Sequence, residues 1–136
     1  MRRFLGYFLG AALALNGLAM LVMPLGWYEA VPGVTMTGSF NPHFVRDIGA
    51  AYLACGAALA WFAARAEARP AAQVAALFLS LHALVHLWDA VAGREAWGQL
   101  LIDFPGVFLP PALAVWVAWP RRPFPTGVQV HDPLVP

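Results

Sequence analysis

Four apolar runs, each long enough to cross a bilayer as a helix, dominate this chain. One crossing takes about 20 apolar residues. The runs extend from Phe4 to Met23, Phe44 to Ala64, Gln73 to Ala92 and Leu100 to Trp119. With 61% hydrophobic and 11% charged residues, the 136-residue chain lacks the charge that a soluble domain of this size needs on its surface. In hydrocarbon the backbone must satisfy its own polar groups, so each run is expected as a helix. The sequence thus predicts an all-α, integral membrane four-helix bundle over residues 1–119 and a Pro-rich tail over 120–136.

The arginines set an expected orientation. Arg2 and Arg3 precede the first run, Arg65 and Arg69 join the second to the third, and Arg121 and Arg122 follow the fourth. Only Arg46 and Arg94 map to the other side. Cytoplasmic loops carry the excess of basic residues, so both termini are expected in the cytoplasm. Trp27, Tyr28, Trp88 and Trp97 would mark the outer interface, and Trp61, Trp116 and Trp119 the inner one. Arg2-Arg3 and the Ala12-Leu13-Ala14 triplet have the form of a signal peptide. The apolar run continues to Met23, however, and reads as a span. Pro24 to Asn41 is expected as an outer loop folded over the bundle mouth, and the tail as extended, with a solvated His131.

A net charge of +1 argues against nucleic acid as a partner. The single Cys55 rules out an internal disulfide framework and reads as a small packing residue. Gly6, Gly10 and Ala14 form a stripe of small residues, as do Ala50, Ala54 and Ala58. Such stripes allow close helix approach, within the bundle or between copies in a homo-oligomer. Pro105, Pro110 and Pro111 each lack a backbone donor and should bend the fourth span.

Against this apolar background the ionisable residues stand out. His43, Arg46 and Asp47 open the second run, His82, His86 and Asp89 lie late in the third, and Asp103 opens the fourth. Helix rise places the three Asp roughly 4–5 Å below the outer boundary, on three helices, with His86 at roughly 9 Å and Asn16 at roughly 10 Å. His82, His86 and Asp89 are spaced i, i+4, i+7, one stripe of a helix, and His43 and Asp47 are spaced i, i+4. Ionisable groups at such depth face a bundle interior or wet cavity and are candidates for function.

One Arg against three Asp leaves a deficit of positive charge, which protons or a divalent cation would relieve. His and carboxylate donors suit Zn, Fe or Mn. The expected metal ligands are His82, His86, Asp89, Asp47 and Asp103. His86, Asp47 and Arg46 are the candidate catalytic groups, and Asn16 and His43 candidate cofactor contacts. Each residue also has a structural reading. Asn41-Pro42 is a helix cap followed by a helix-starting Pro. Arg46 could hold helices together by pairing with Asp89 or Asp103.

The stretch from Trp27 to Tyr52 (WYEAVPGVTMTGSFNPHFVRDIGAAY), with the His82–Asp89 stripe, resembles segments of uncharacterised small four-helix proteins of the bacterial inner membrane. The resemblance implies a multi-pass topology in that cytoplasmic membrane and no assigned activity.

The leading functional expectation is a site in the outer half of the bilayer that holds a divalent metal and takes a lipophilic small molecule. One alternative is a metal-free acid–base site, as in an isomerase or hydrolase. Others are haem held by one axial His, an accessory, transport or proton-relay subunit, and a polar network that only fixes the bundle. The inner halves of the spans are apolar, which argues against a conduction path through one protomer.

Overall fold

The computed structural model describes residues 1–120, which are helical and without strands apart from short connections. The expected tail, with His131, Arg121 and Arg122, lies outside the described residues. Helix α1 spans Arg2–Val22, α2 Pro24–Ala30, α3 Pro42–Ala64, α4 Arg69–Val91, α5 Gln99–Asp103 and α6 Leu109–Ala118. Four segments are long and apolar enough to cross a membrane: Arg2–Val22, Pro42–Ala64, Ala66–Val91 and Gln99–Ala118. The expected runs agree with them closely, except that the third begins earlier. Pro70 sits in the first turn of α4, where its missing donor leaves no bond unmade.

The segment Pro24–Asn41 is more ordered than a loop. Pro24 starts α2, and a 3-10 turn covers Val34–Met36. Asn41 caps α3 as expected, its side chain accepting from the His43 and Phe44 amides at 3.1 Å each.

The closest pairing is between α1 and α3, which run antiparallel. Gly10 faces Gly56, and Gly17 faces Gly49. A Cβ at Gly10 would stand 2.8 Å from the Gly56 carbonyl oxygen, and one at Gly49 2.7 Å from Met20 Cβ. Backbone therefore meets backbone along this seam, the arrangement small residues permit where no hydrophobic drive pulls helices together. On α1 the expected stripe contributes all three of its members, Gly6, Gly10 and Ala14, the last facing Gly56 beside Gly10. On α3 the contact falls to Gly49 and Gly56, while Ala50 and Ala54 point outward.

Small residues also fill much of the interior between α4 and α6, with Ala72, Ala76, Ala114 and Ala118 buried around the larger Leu79. Large apolar side chains lie on the outside instead, among them Phe4, Phe8, Leu15, Leu77, Leu84 and Leu101. That distribution suits lipid contact, since an aqueous surface leaves few such groups exposed.

The fourth span is not a simple bent helix. Between α5 and α6, Phe104–Phe108 forms a π-helical turn in which the Leu109 amide donates to the Phe104 carbonyl. Pro105 falls at its start, and Pro110 and Pro111 fall in the first turn of α6. The wider turn absorbs the lost donors, and such turns recur beside functional sites. Here it directly follows Asp103.

Two ends of the bundle can now be distinguished. The starts of α1 and α4 and the ends of α3 and α6 form an Arg-rich end. The start of α3, the end of α4 and α5 form the far end, where most of the polar groups collect.

Candidate metal centre

At the far end the end of α4 and the start of the fourth span bring His86 and Asp103 together. His86 Nδ1 lies 2.9 Å from Asp103 Oδ2. Gln99, one turn before Asp103 on α5, donates from Nε2 to the other carboxylate oxygen at 3.0 Å. Both Asp103 oxygens are thus held, and the residue is only 7% exposed. A buried carboxylate is tolerated when its lone pairs are filled by such bonds.

Glu95 completes the group. The α4 C-terminus turns back through Gly93, whose φ of +71° is the left-handed geometry common after a helix. The Asp89 carbonyl then accepts from the amides of Arg94 and Glu95 at 2.8 and 3.3 Å. This turn carries Glu95 back toward α5. One ligand atom each from His86, Glu95 and Asp103 lies within 4.8 Å of the other two. Glu95 Oε2 is buried and has no hydrogen-bond partner among the described residues. Burial raises the Glu95 carboxyl above its ordinary range, His86 opposes that rise, and Asp103 and Asp89 add to it.

Beneath this group lies an aromatic stack. The His82 ring meets His86 edge-on at 5.0 Å between centroids and lies nearly parallel to Phe78 at 6.3 Å. Tyr52, on α3, meets His82 edge-on at 5.8 Å. His82 therefore braces the ring of His86 and is not one of the three clustered donors.

The connection after α2 closes over the site. Gly33 has φ +87°, and a Cβ there would collide with Gln99 Nε2 and approach Asp103 Oδ1 to 3.4 Å. Gly33→Ala is therefore expected to destabilise the protein by about 1–2 kcal/mol through left-handed strain alone. It should also displace Gln99 from Asp103. Thermal unfolding in detergent measures the first effect, and a weakened metal response the second.

The other residues singled out in the sequence form separate pairs. His43 Nε2 and Asp47 Oδ2 are 3.3 Å apart, with both side chains largely exposed at the start of α3. Asp89 pairs with Arg94 at 2.8 Å. Arg46 donates from Nε to the Leu21 carbonyl at 3.4 Å, in place of the expected pairing with Asp89 or Asp103. Asn16 accepts from Trp27 Nε1 at 2.9 Å and donates to Met20 Sδ at 3.7 Å, which ties α1 to α2. Trp27 accordingly packs against the core and is only partly exposed, whereas Trp88 and Trp97 remain exposed.

The chain matches no family model, no curated protein and no solved structure. The chemistry of the centre thus rests on its own donors. Of the residues expected as ligands, His86 and Asp103 share it, and Asp47, Asp89 and His82 stand outside it. Glu95 and Gln99 join it without having been singled out. Their signal was present, since Glu95, Gln99 and Asp103 recur every fourth residue. Arg94-Glu95 between two apolar runs reads as a solvated joint, and that reading hid the pattern.

Proposed function

We propose that this is a multi-pass membrane protein of the bacterial inner membrane that binds a divalent metal ion, Zn, Fe or Mn, through His86, Glu95 and Asp103. The observation that carries the proposal is the convergence of one imidazole and two carboxylates on a site where a buried Glu95 oxygen lacks a hydrogen-bond partner. One imidazole with two carboxylates suits these borderline and hard ions. Bonds of 2.0–2.2 Å in a tetrahedron separate ligand atoms by roughly 3.3–3.6 Å. Drawing donors spread over as much as 4.8 Å onto one ion takes a contraction on the order of 1 Å. Glu95, on a connecting turn, is the donor free to make it.

Gln99 would hold Asp103 in place and His82 would brace the His86 ring, the supporting roles that tune a metal's ligands. Three protein ligands leave a coordination position for water or a substrate atom. With the termini on the cytoplasmic side, the centre sits in the outer half of the bilayer, within reach of a lipophilic small molecule from the outer leaflet. A metal-free acid–base role is the second reading. It is favoured by the upward shift of the Glu95 carboxyl beside the hydrogen-bonded His86–Asp103 pair, which sets a carboxyl that holds its proton next to an imidazole.

Metal content of the purified full chain tests the proposal. About one equivalent of Zn, Fe or Mn per chain supports it, and none after loading and desalting removes it in favour of the second reading. A stability experiment adds a sign. A carboxyl held above its ordinary range binds its proton more tightly in the folded state. Its contribution to stability is full below the ordinary Glu range and is lost as pH rises through the folded value. Above the ordinary Glu range the raised carboxyl therefore works against the metal-free fold. Glu95→Gln should raise the Tm of metal-free protein at pH 7 while abolishing most of the Tm increase that metal gives the wild type. A variant that keeps the full metal-induced increase would show that Glu95 is not a ligand.

A further inference from the structure

Deep in the spans, polar side chains take partners within the protein. Asn16 accepts from Trp27 Nε1, Ser80 donates to the Ala76 carbonyl at 2.7 Å, and His86 holds Asp103. His82 departs from this pattern. It makes no hydrogen bond among the described residues, and neither of its ring nitrogens is sealed from the surface. The residue lies near the midpoint of α4, where, on the bilayer reading, that surface faces hydrocarbon. An ionisable side chain at such depth turns to the bundle interior, to a wet cavity or to a partner. Leaving its polar atoms without one is costly.

The ring itself is firmly placed. Phe78 lies nearly parallel to it at 6.3 Å, while Tyr52 of α3 and His86 meet it edge-on at 5.8 and 5.0 Å. Three rings thus fix its plane while its nitrogens stay open. Leu81 and Val85 beside it are exposed, so apolar surface borders the opening. A polar group held in place among aromatic and apolar walls is the usual means of orienting a small ligand.

The chemistry of the ring narrows what it can take. A neutral imidazole offers one N–H donor and one acceptor nitrogen. A hydroxyl or carbonyl oxygen accepts from the first, and a hydroxyl also donates to the second. A carboxylate or phosphate is far too costly to carry to that depth. His82 lies one helical turn below His86 on the same stripe, so a head group held there adjoins the metal centre. Three protein ligands leave a coordination position open at that centre.

We propose that His82 binds the uncharged oxygen of a lipophilic alcohol or ketone, which enters from hydrocarbon on the α3 side of α4 and is presented to the metal. The presentation step rests on the metal reading, whereas the contact at His82 stands on its own geometry.

The test is thermal unfolding of the full chain in neutral detergent, with and without Zn, on addition of dodecan-1-ol, dodecane or dodecanoate. Dodecan-1-ol should raise the Tm of the wild type more than dodecane does, and dodecanoate should give no such gain. H82F keeps a ring against His86, Phe78 and Tyr52 but removes both nitrogens. It should retain one Zn per chain and bind dodecan-1-ol about two- to tenfold more weakly, the worth of one neutral hydrogen bond. S80A, at a residue on the α6 side of α4, should respond as the wild type does. Should H82F not fold, the nitrogen-15 spectrum of the wild-type histidines decides instead. Dodecan-1-ol must then move the His82 resonances and leave those of exposed His43 in place. Equal stabilisation by dodecane, an undiminished response in H82F, or an equal loss in S80A would each overturn the proposal. Self-association of the wild type that H82F abolishes would also overturn it, in favour of a second copy as the partner of His82. Failure of the metal reading looks different: no Zn is retained, while the response to dodecan-1-ol still depends on His82.

Discussion

His86→Ala is expected to weaken Zn binding by more than about a hundredfold and to remove the Tm increase that metal produces. The estimate starts from supporting residues around metal sites, whose loss costs about ten- to a hundredfold in affinity. His86 is the sole imidazole among the three clustered donors, so its removal leaves two carboxylates, a weaker set for a borderline ion such as Zn. The substitution also leaves Asp103 Oδ2 without its 2.9 Å partner in a residue that is 7% exposed. A buried acceptor stripped of its partner costs about 1–3 kcal/mol. The metal-free variant should therefore melt lower than the wild type and gain little from added Zn. His82→Ala supplies the contrast. It removes a ring packed against His86, so affinity should fall by no more than about a hundredfold while stoichiometry is retained. Titration calorimetry on the two variants in detergent reads both numbers, and equal losses would remove the distinction between ligand and brace.

Gly17→Ala is expected to be the most damaging single-methyl change in the bundle, costing about 3 kcal/mol. A Cβ there collides with the Gly49 carbonyl oxygen and stands 2.7 Å from the Leu53 amide nitrogen. Both obstacles are backbone, so no rotamer change relieves them and α1 must move away from α3. That displacement would open the Gly10–Gly56 contact seven residues along the same seam. Gly26→Ala is the control. At Gly26 a Cβ meets only the end of the Met23 side chain, at 3.7 Å, and Ala is the better helix former within α2. Denaturation in mixed micelles should show a large loss for Gly17→Ala and none for Gly26→Ala. A Gly17→Ala protein as stable as the wild type would mean that the α1–α3 seam is looser than this structure places it.

These two predictions mark what could be read in the chain and what could not. Four long helices followed from apolar length alone, because a continuous apolar run of about 20 residues fits a spanning helix, whereas a barrel strand takes about half that length. The Asn41 cap followed from the preference of that side chain for free amides at a helix start. Which small residues carry the seam on α3 did not follow, since Ala50, Ala54 and Ala58 keep the four-residue spacing of such a stripe, whereas Gly49 and Gly56 stand seven apart. The rotation of α3 about its own axis, set by packing on α1, decides between them.

At the site, depth was informative and partnership was not. Asp47, Asp89 and Asp103 do fall near one end, but each takes its own partner: His43, Arg94 and His86. Helical spacing identifies residues on one face, whereas the partner across a bundle depends on helix rotation and on the connecting turns. Glu95 shows this most clearly. It belongs to the centre because Gly93 reverses the chain after α4, a geometry that the short Arg94-Glu95 joint does not announce. Arg46 erred the other way. A cation at the depth of three Asp is a natural partner for Asp89 or Asp103, yet Arg46 reaches the Leu21 carbonyl at the end of α1.

The X-ray absorption spectrum of Zn-loaded protein tests the central claim most directly. The account predicts one Zn per chain in a nitrogen and oxygen shell near 2.0–2.1 Å, with the multiple scattering of a single imidazole that disappears in His86→Ala. A spectrum with two imidazoles, or a protein that retains no Zn, would contradict it.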